Sequence, residues 1–460
     1  MRRHASQANL RECRADTMKL YLLFDHQGPQ IGLNNGHETA PVLDGLEPLV
    51  ARLRASQQQL RAVAFDDLLG LCDAAARSWT QPEHPLADFI RRNHLGFLPL
   101  WLRRANLQTL AERSLRDRPE ALDRFVPLGE KDTMAIRAQP RGLVVHWVAG
   151  NVPVLGFLSL VQSMLCKNAN VVKVSRRRPG ILPHLLAALS EVTHTNARGE
   201  TFSGRVLTDT MAVVYADRED EAAARELSRL ADVRVAWGGR EAVEAIINLP
   251  RRYGTEDIVF GPKLSFAVVG AERLADNGMA HRTAAAIAAD AFAFDQQGCN
   301  SPHTVFVERG GPIAPAEFAG LLGEAMEAES RRAPLQEIDP ADAMIALGVR
   351  TEYAMRGDAH HSRDIQWAVV YSDDDKGLAE PCYLRTLFVR PVNDVFEVAA
   401  FCSSQTQTAG LAVDDRRHAL ADALTSRGVE RCPAVGAMRI YDAPWDGLFA
   451  MDRLVRWVSG

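Results

Sequence analysis

The 460-residue sequence lacks the features that mark several large protein classes. It holds seven cysteines, Cys13, Cys72, Cys166, Cys299, Cys382, Cys402 and Cys432, with no CxxC pair and no metal-ligand rhythm. An odd number at wide spacing argues against a disulfide framework, gives no metal site and suits a reducing, cytoplasmic setting. No apolar run reaches the roughly 18 residues that a membrane span requires. Residues 1–17 are polar and rich in arginine, without the apolar segment of a secretory signal. They read as a disordered tail, with Met18 standing before the first plausible strand. A net charge of -5 gives no reason to expect a nucleic-acid partner. There is no GxGxxG and no GxxxxGK(S/T), so neither common phosphate-binding signature applies. Internal repeats and low-complexity linkers are missing as well.

What is present is a globular composition, 47% hydrophobic and 24% charged, in a chain long enough for two domains. After an opening strand at Lys19 to Phe24, helical spacing runs through Leu46 to Leu53, Gln59 to Ser78 and Pro99 to Leu115. Beyond Arg141 short apolar strands alternate with helices. The strands are Leu143 to Val148, Asn170 to Val174, Met211 to Tyr215 and Val233 to Trp237. The helices are Val154 to Leu165, Leu182 to Val192, Asp220 to Leu230 and Glu241 to Leu249. This alternation predicts parallel strands joined by right-handed crossovers, with ligands at the carboxyl ends. A second such block begins near Leu264. It reads as strand Leu264 to Val269, helix Arg282 to Phe294, strand His303 to Val307, helix Pro315 to Glu329 and strand Tyr383 to Val389. The expected division is 18–262 for a cofactor-binding domain with N-terminal helices, 263–435 for a catalytic domain and 436–460 for a segment packing back on the body.

Four local patterns carry chemistry. Cys299 sits in Gln296-Gln297-Gly298-Cys299-Asn300-Ser301-Pro302, between a long helix and a strand. Gly298 permits close approach and Pro302 keeps the exit extended. Such a loop can hold a thiol both rigid and accessible, as a nucleophile needs. The alternative is a small buried apolar residue, which Cys72 and Cys166 fit better. Asn151, in Asn151-Val152-Pro153 at a strand-to-helix turn, is either a plain helix cap or an amide donor for an oxyanion. Lys173-Val174-Ser175-Arg176-Arg177-Arg178 follows a strand at the position that meets an adenosine ribose. Arginine and no acid there favours a 2′-phosphate, unless the cluster is only a solvated loop. Gly238-Gly239 opens a helix, where backbone N–H groups can approach a pyrophosphate, although Gly-Gly turns are common. His303 and His146 can each shuttle a proton or serve as hydrogen-bonded structural residues.

Together these segments resemble the LuxC-type acyl-CoA reductases, a branch of the aldehyde dehydrogenase superfamily. The resembling pieces are Gly142 to Pro153, Asn170 to Ser175, Ala236 to Gly239, Phe260 to Ser265, Gln297 to Pro302, and Trp445-Asp446-Gly447 with Leu454 to Trp457. They run in order from about residue 130 to the end. The resemblance implies an α/β, aldehyde-dehydrogenase-like fold with two Rossmann-like parallel-sheet domains and an active-site cleft between them. It also implies Cys299 as the acyl-accepting thiol, Asn151 as an oxyanion donor and Lys173 on the adenine ribose, with Ser175 beside it. Arg176 stands where NAD-preferring relatives carry glutamate, and Gly238 and Gly239 stand beside the cofactor phosphates. Aldehyde oxidisers place a water-activating glutamate before a Gly-Gly-Lys segment. Here the stretch reads Val259-Phe260-Gly261-Pro262-Lys263, without that carboxylate.

The resemblance therefore implies NADPH-dependent reduction of a fatty acyl-CoA or acyl-protein thioester to the aldehyde through acyl-Cys299. A partner acyl-protein synthetase and a homo-oligomer follow from the same family. The rival readings are a short-chain CoA-acylating aldehyde dehydrogenase, a thiol acyltransferase or thioesterase without nicotinamide chemistry, and a non-catalytic acyl-binding subunit.

Overall fold

The computed structural model describes residues 18–32, 35–92, 95–129, 134–150, 152, 154–335 and 338–460. The expected tail 1–17 and Asn151 lie outside the described residues. Two parallel sheets organise the rest.

The first is built from β1 (Leu20–Asp25), β2 (Leu143–Trp147), β3 (Ala169–Val174), β4 (Met211–Tyr215), β5 (Val233–Trp237) and β6 (Glu256–Phe260), in the order β6-β5-β2-β3-β4-β1. Every pair is parallel except β1 with β4. Short strands Gly28–Pro29 and Val42–Leu43 flank β1. From β2 to β5 each strand is an almost unbroken buried apolar run. This is the pattern of strands covered by helices on both faces. The chain moves outward from β2 through β3 and β4, then restarts on the other side at β5. The β2/β5 boundary is thus the switch point where such sheets take ligands.

The second sheet contains β7 (Leu264–Val269), β8 (Pro302–Glu308), β9 (Asp358–His361), β10 (Ala368–Tyr371), β11 (Thr386–Val392) and β12 (Thr406–Ala412). Their order is β9-β10-β11-β8-β7-β12. Only β9 runs antiparallel to its neighbour. Gly261-Pro262-Lys263 alone separates β6 from β7, so the chain passes from one sheet to the other almost without a linker. The end of the chain returns to the first lobe. Val455–Ser459 pairs antiparallel with Ala135–Pro140, and Tyr441, Trp445, Met451 and Leu454 join that lobe's core.

Two expected elements end differently, for local reasons. The helix expected over Gln59 to Ser78 is interrupted, because Ala64 is extended (φ -64, ψ 144) and a new helix begins at Phe65. The Phe65 N–H donates to the Asp123 carboxylate at 3.1 and 3.0 Å, which caps that second start. The strand expected from Tyr383 begins only at Thr386, because Tyr383, Leu384 and Arg385 are all left-handed (φ 55, 47 and 54).

Immediately before the Cys299 loop lies a second left-handed run, Phe294, Asp295 and Gln296 (φ 55, 53 and 62). The two runs brace each other. Arg385, fully buried, pairs with Asp295 and lies 4.0 Å from the Phe292 ring. The Gln296 amide donates to the carbonyls of Pro302 (2.9 Å) and Thr386 (2.8 Å) and accepts from the Thr386 N–H (2.8 Å). Left-handed backbone costs energy for these residue types, and these buried partners offset it.

Candidate active site between the lobes

The carboxyl ends of β2 to β5 open into a groove of about 970 Å³. Its walls include Trp147 to Gly150, Lys173, Ser175, Arg176, Tyr215, Gly238 and Gly239. Five residues singled out in the sequence therefore share one surface. Gly150 allows the ends of β2 and β3 to meet, since a Cβ there would stand 2.5 Å from Ser175 Oγ. The Lys173 ammonium lies 6.0 Å from the Tyr215 ring centre. Burial holds its pKa below the ordinary range, against the opposing pull of Asp217 and Glu219. Asp217 accepts a hydrogen bond from the Tyr215 hydroxyl. Gly239 precedes the helix Arg240–Ile247, and a Cβ on it would meet nothing within 4 Å. The groove thus offers cations at one end and an open, positively polarised helix start at the other, which fits a dinucleotide phosphate chain.

Cys299 lies outside the groove lining and belongs to the second sheet. It stands on the loop between the helix Asn277–Phe292 and β8, at the amino end of that strand. The residue is half-buried and packs, as Ala149 of the groove does, against the core of the first lobe. Space at Gly298 is tight, since a Cβ there would stand 2.6 Å from Asn300 Oδ1. The loop is pinned on both sides of the sulfur. Ser265 Oγ donates to the Cys299 carbonyl at 2.6 Å and accepts from the Thr408 N–H at 3.1 Å. The Asn300 amide donates to the Met438 carbonyl at 2.8 Å.

The partner of the sulfur is Gln407, whose Nε2 donates to Sγ at 3.1 Å and also bonds the Asp446 carboxylate. Burial, then the Asp446 charge, pushes the Cys299 thiol up to about 12. The Gln407 hydrogen bond and Arg431 pull the other way. Burial likewise pushes the Asp446 carboxyl up to about 6. Neither Gln407 nor Asp446 was among the site residues expected from sequence. The one signal was the Trp445-Asp446-Gly447 match, which touches Asp446 alone.

The two histidines are both buried. His146 is fully enclosed, with Nδ1 3.0 Å from Ser159 Oγ and Nε2 3.1 Å from Asn170 Oδ1. With both nitrogens engaged and burial holding its pKa down to about 4, it has the surroundings of a structural histidine. His303 meets the Tyr383 ring edge-on at 5.5 Å, and its Nδ1 has no partner among the described residues. Burial holds it down to about 4 as well. Among the described residues the hydrogen-bond donor to Sγ is Gln407 and neither histidine. Among the described residues no group of His, Cys, Asp and Glu could hold a metal ion, and no helix is long and apolar enough to cross a membrane.

The family model for acyl-CoA reductase (LuxC) matches residues 60–457. The chain belongs to the acyl-CoA reductase (LuxC) family. Among its relatives, the long-chain acyl-protein thioester reductase of Aliivibrio fischeri is 27% identical over 353 residues, covering 74% of this chain and 67% of that protein. The protein of the same name from Photorhabdus luminescens is 28% identical over 369 residues, covering 77% and 70%. Solved structures agree on the fold. A proline utilization A variant from Bradyrhizobium japonicum superposes with a TM-score of 0.63 at 15% identity, over 90% of this chain but only 44% of that longer one. An NAD-dependent benzaldehyde dehydrogenase from Corynebacterium glutamicum gives 0.60 at 14% identity, over 96% and 98%. The LuxC chain thus has the aldehyde-dehydrogenase fold expected from its sequence, and a reductase on that fold implies a nicotinamide cofactor.

Proposed function

We propose that this LuxC-family chain reduces a long-chain acyl thioester, carried on CoA or on a protein, to the aldehyde with NADPH, through an acyl group on Cys299. The observation that carries the reading is the Cys299 sulfur itself. The residue that carries it is half-buried on a pinned loop at the lobe boundary, and an N–H donor is aimed at the sulfur. The sulfur attacks the thioester carbon, a new C–S bond forms, and the carrier leaves as its thiol. Asn151 and the Cys299 backbone N–H are the proposed oxyanion donors, each contributing on the order of 3 kcal/mol. Lys173, Ser175 and Arg176 hold the ribose end of the cofactor, and the amides after Gly238-Gly239 hold its phosphates. A reduced nicotinamide bound there supplies the hydride. Collapse at the acyl carbon then breaks its bond to Cys299, frees the thiolate and releases the aldehyde.

Two features support the finer points. Arg176 lines the groove at the end of β3, where a guanidinium suits the 2′-phosphate of NADPH. The sequence before Gly261 offers Val259 and Phe260 in place of a water-activating carboxylate, which protects an acyl intermediate from hydrolysis. An acyl-protein synthetase partner and self-association belong to the same reading. The test is NADPH oxidation over a panel of acyl-CoAs of increasing length, with Cys299→Ala as control. The expected result is turnover that rises with chain length and vanishes in the variant. Reduction that survives Cys299→Ala overturns the assignment, and a short-chain optimum with NADH favours a CoA-acylating aldehyde dehydrogenase.

A further inference from the structure

Burial disfavours the Cys299 thiolate, so the proposed attack depends on the groups that favour it, and the hydrogen bond from Gln407 is the first of these. Gln407 is the second residue of β12 and fully buried. Its two ends are chemically fixed. Nε2 faces two acceptors, Cys299 Sγ at 3.1 Å and the Asp446 carboxylate. Oε1 faces the Thr408 hydroxyl at 3.2 Å. That hydroxyl oxygen accepts from Arg431 Nη1 at 3.2 Å, which leaves its proton for the amide oxygen. Turning the amide over would set its oxygen against the carboxylate. Asp446 is 8% exposed, and its second oxygen has no partner among the described residues, so its described bond is the one to Gln407.

We propose that Gln407 is the hydrogen-bond donor that stabilises the Cys299 thiolate, and that Asp446 is a positioning residue that keeps the amide turned nitrogen-first toward the sulfur. The proposal rests on the reading of Cys299 as the acyl-accepting residue.

Several other charged or titratable groups face this pair. Lys263, from the crossing between the sheets, pairs with Glu430. Arg431 lies 4.3 Å from the Trp445 ring centre and interacts with Cys299, Asp442 and Asp446. Tyr441 is bonded to Gln162 at 2.9 Å and also feels Cys299 and Asp446. Asp446 therefore acts on the sulfur in two opposed ways. Its charge disfavours the thiolate, while its hold on Gln407 favours it. A double-mutant cycle separates the two.

The readout is the pH dependence of iodoacetamide alkylation at Cys299 in the full chain, followed on the peptide that contains it. Gln407→Met fills a similar volume without the donor, and the alkylation midpoint should rise by about one pH unit, a roughly tenfold loss of thiolate at fixed pH. Should that variant fail to fold, Gln407→Glu replaces the donor by an acceptor and should raise the midpoint further. Asp446 has φ 48, a conformation open to glycine, so Asp446→Gly removes the carboxylate without forcing the backbone. In that background the shift caused by Gln407→Met should largely disappear. An unchanged midpoint in Gln407→Met and Gln407→Glu overturns the role of the amide. Shifts that simply add overturn the positioning role of Asp446. If the shifts appear as expected but acyl-CoA leaves no acyl group on wild-type Cys299, the hydrogen-bond proposal stands and the functional reading fails.

Discussion

The two sheets share a plan of parallel strands with one antiparallel edge, yet they expose opposite ends. The first opens at its carboxyl edge, where Lys173, Ser175, Arg176 and Gly238 line the groove. The second is closed at that edge. Glu308, the last residue of β8, is buried against Arg416, which also reaches Glu272. The Glu308 carboxylate also accepts from the Ala271 N–H at 2.8 Å and from the Val395 N–H at 3.3 Å. The second sheet's chemistry-bearing residues, Cys299, Ser265 and Gln407, gather instead at the amino ends of β8, β7 and β12. On the proposed reading, the rule that ligands sit beyond the carboxyl ends of parallel strands holds for the first lobe and fails for the second. The position of a parallel sheet in the chain does not say which edge is used; the residues that fill each edge do.

That contrast can be broken at several points. The largest effect is expected from Cys299→Ala. Acyl transfer and reduction should vanish while NADPH still binds with unchanged affinity, as read by fluorescence titration. A parallel loss of NADPH binding would mean that the two edges do not act separately. Arg176→Glu should do the reverse, weakening NADPH by about 10- to 100-fold, the equivalent of one charge-assisted contact, and leaving Cys299 alkylation alone. Glu308→Gln should lower stability by about 2 kcal/mol in urea without touching either activity. Arg416 holds the Glu308 carboxyl below the ordinary glutamate value, so its contribution is present above that value and is lost as pH falls through the lowered one. The wild type should accordingly lose more stability on acidification than Glu308→Gln does. The smallest effects separate two glycines. Gly298→Ala must displace Asn300 and should cost about 1 kcal/mol or more, with slower acylation. Gly239→Ala points into open space, so it should leave stability nearly unchanged while hindering the cofactor.

Legibility followed composition. Strands β2 to β5 were readable because each is an almost continuous, valine-rich apolar run, and the observed bounds of Met211–Tyr215 and Val233–Trp237 match the expected ones. β12, with sequence TQTAGLA, is as deeply buried but mixes hydroxyls, an amide and a glycine, so no period announces it. The same strand carries Gln407. The groove could be foreseen because its residues follow legible strands closely. The surroundings of the thiol could not, because Gln407 and Asp446 lie 108 and 147 residues beyond Cys299, and only the returning chain end brings the second to the first. The helix at Pro340–Arg356, unread in the sequence, has little periodic contrast, with Met344, Ile345, Leu347 and Met355 facing outward.

The clasp between Phe294-Asp295-Gln296 and Tyr383-Leu384-Arg385 has a consequence for how this architecture can vary. The aim of the sulfur is anchored to the threshold of a strand almost ninety positions away, through Arg385 on Asp295 and Gln296 on Thr386. Neither turn can be lengthened, shortened or straightened alone without releasing the other. Insertions are therefore least tolerable at the last three residues before β11, where the chain locks onto the loop that carries Cys299.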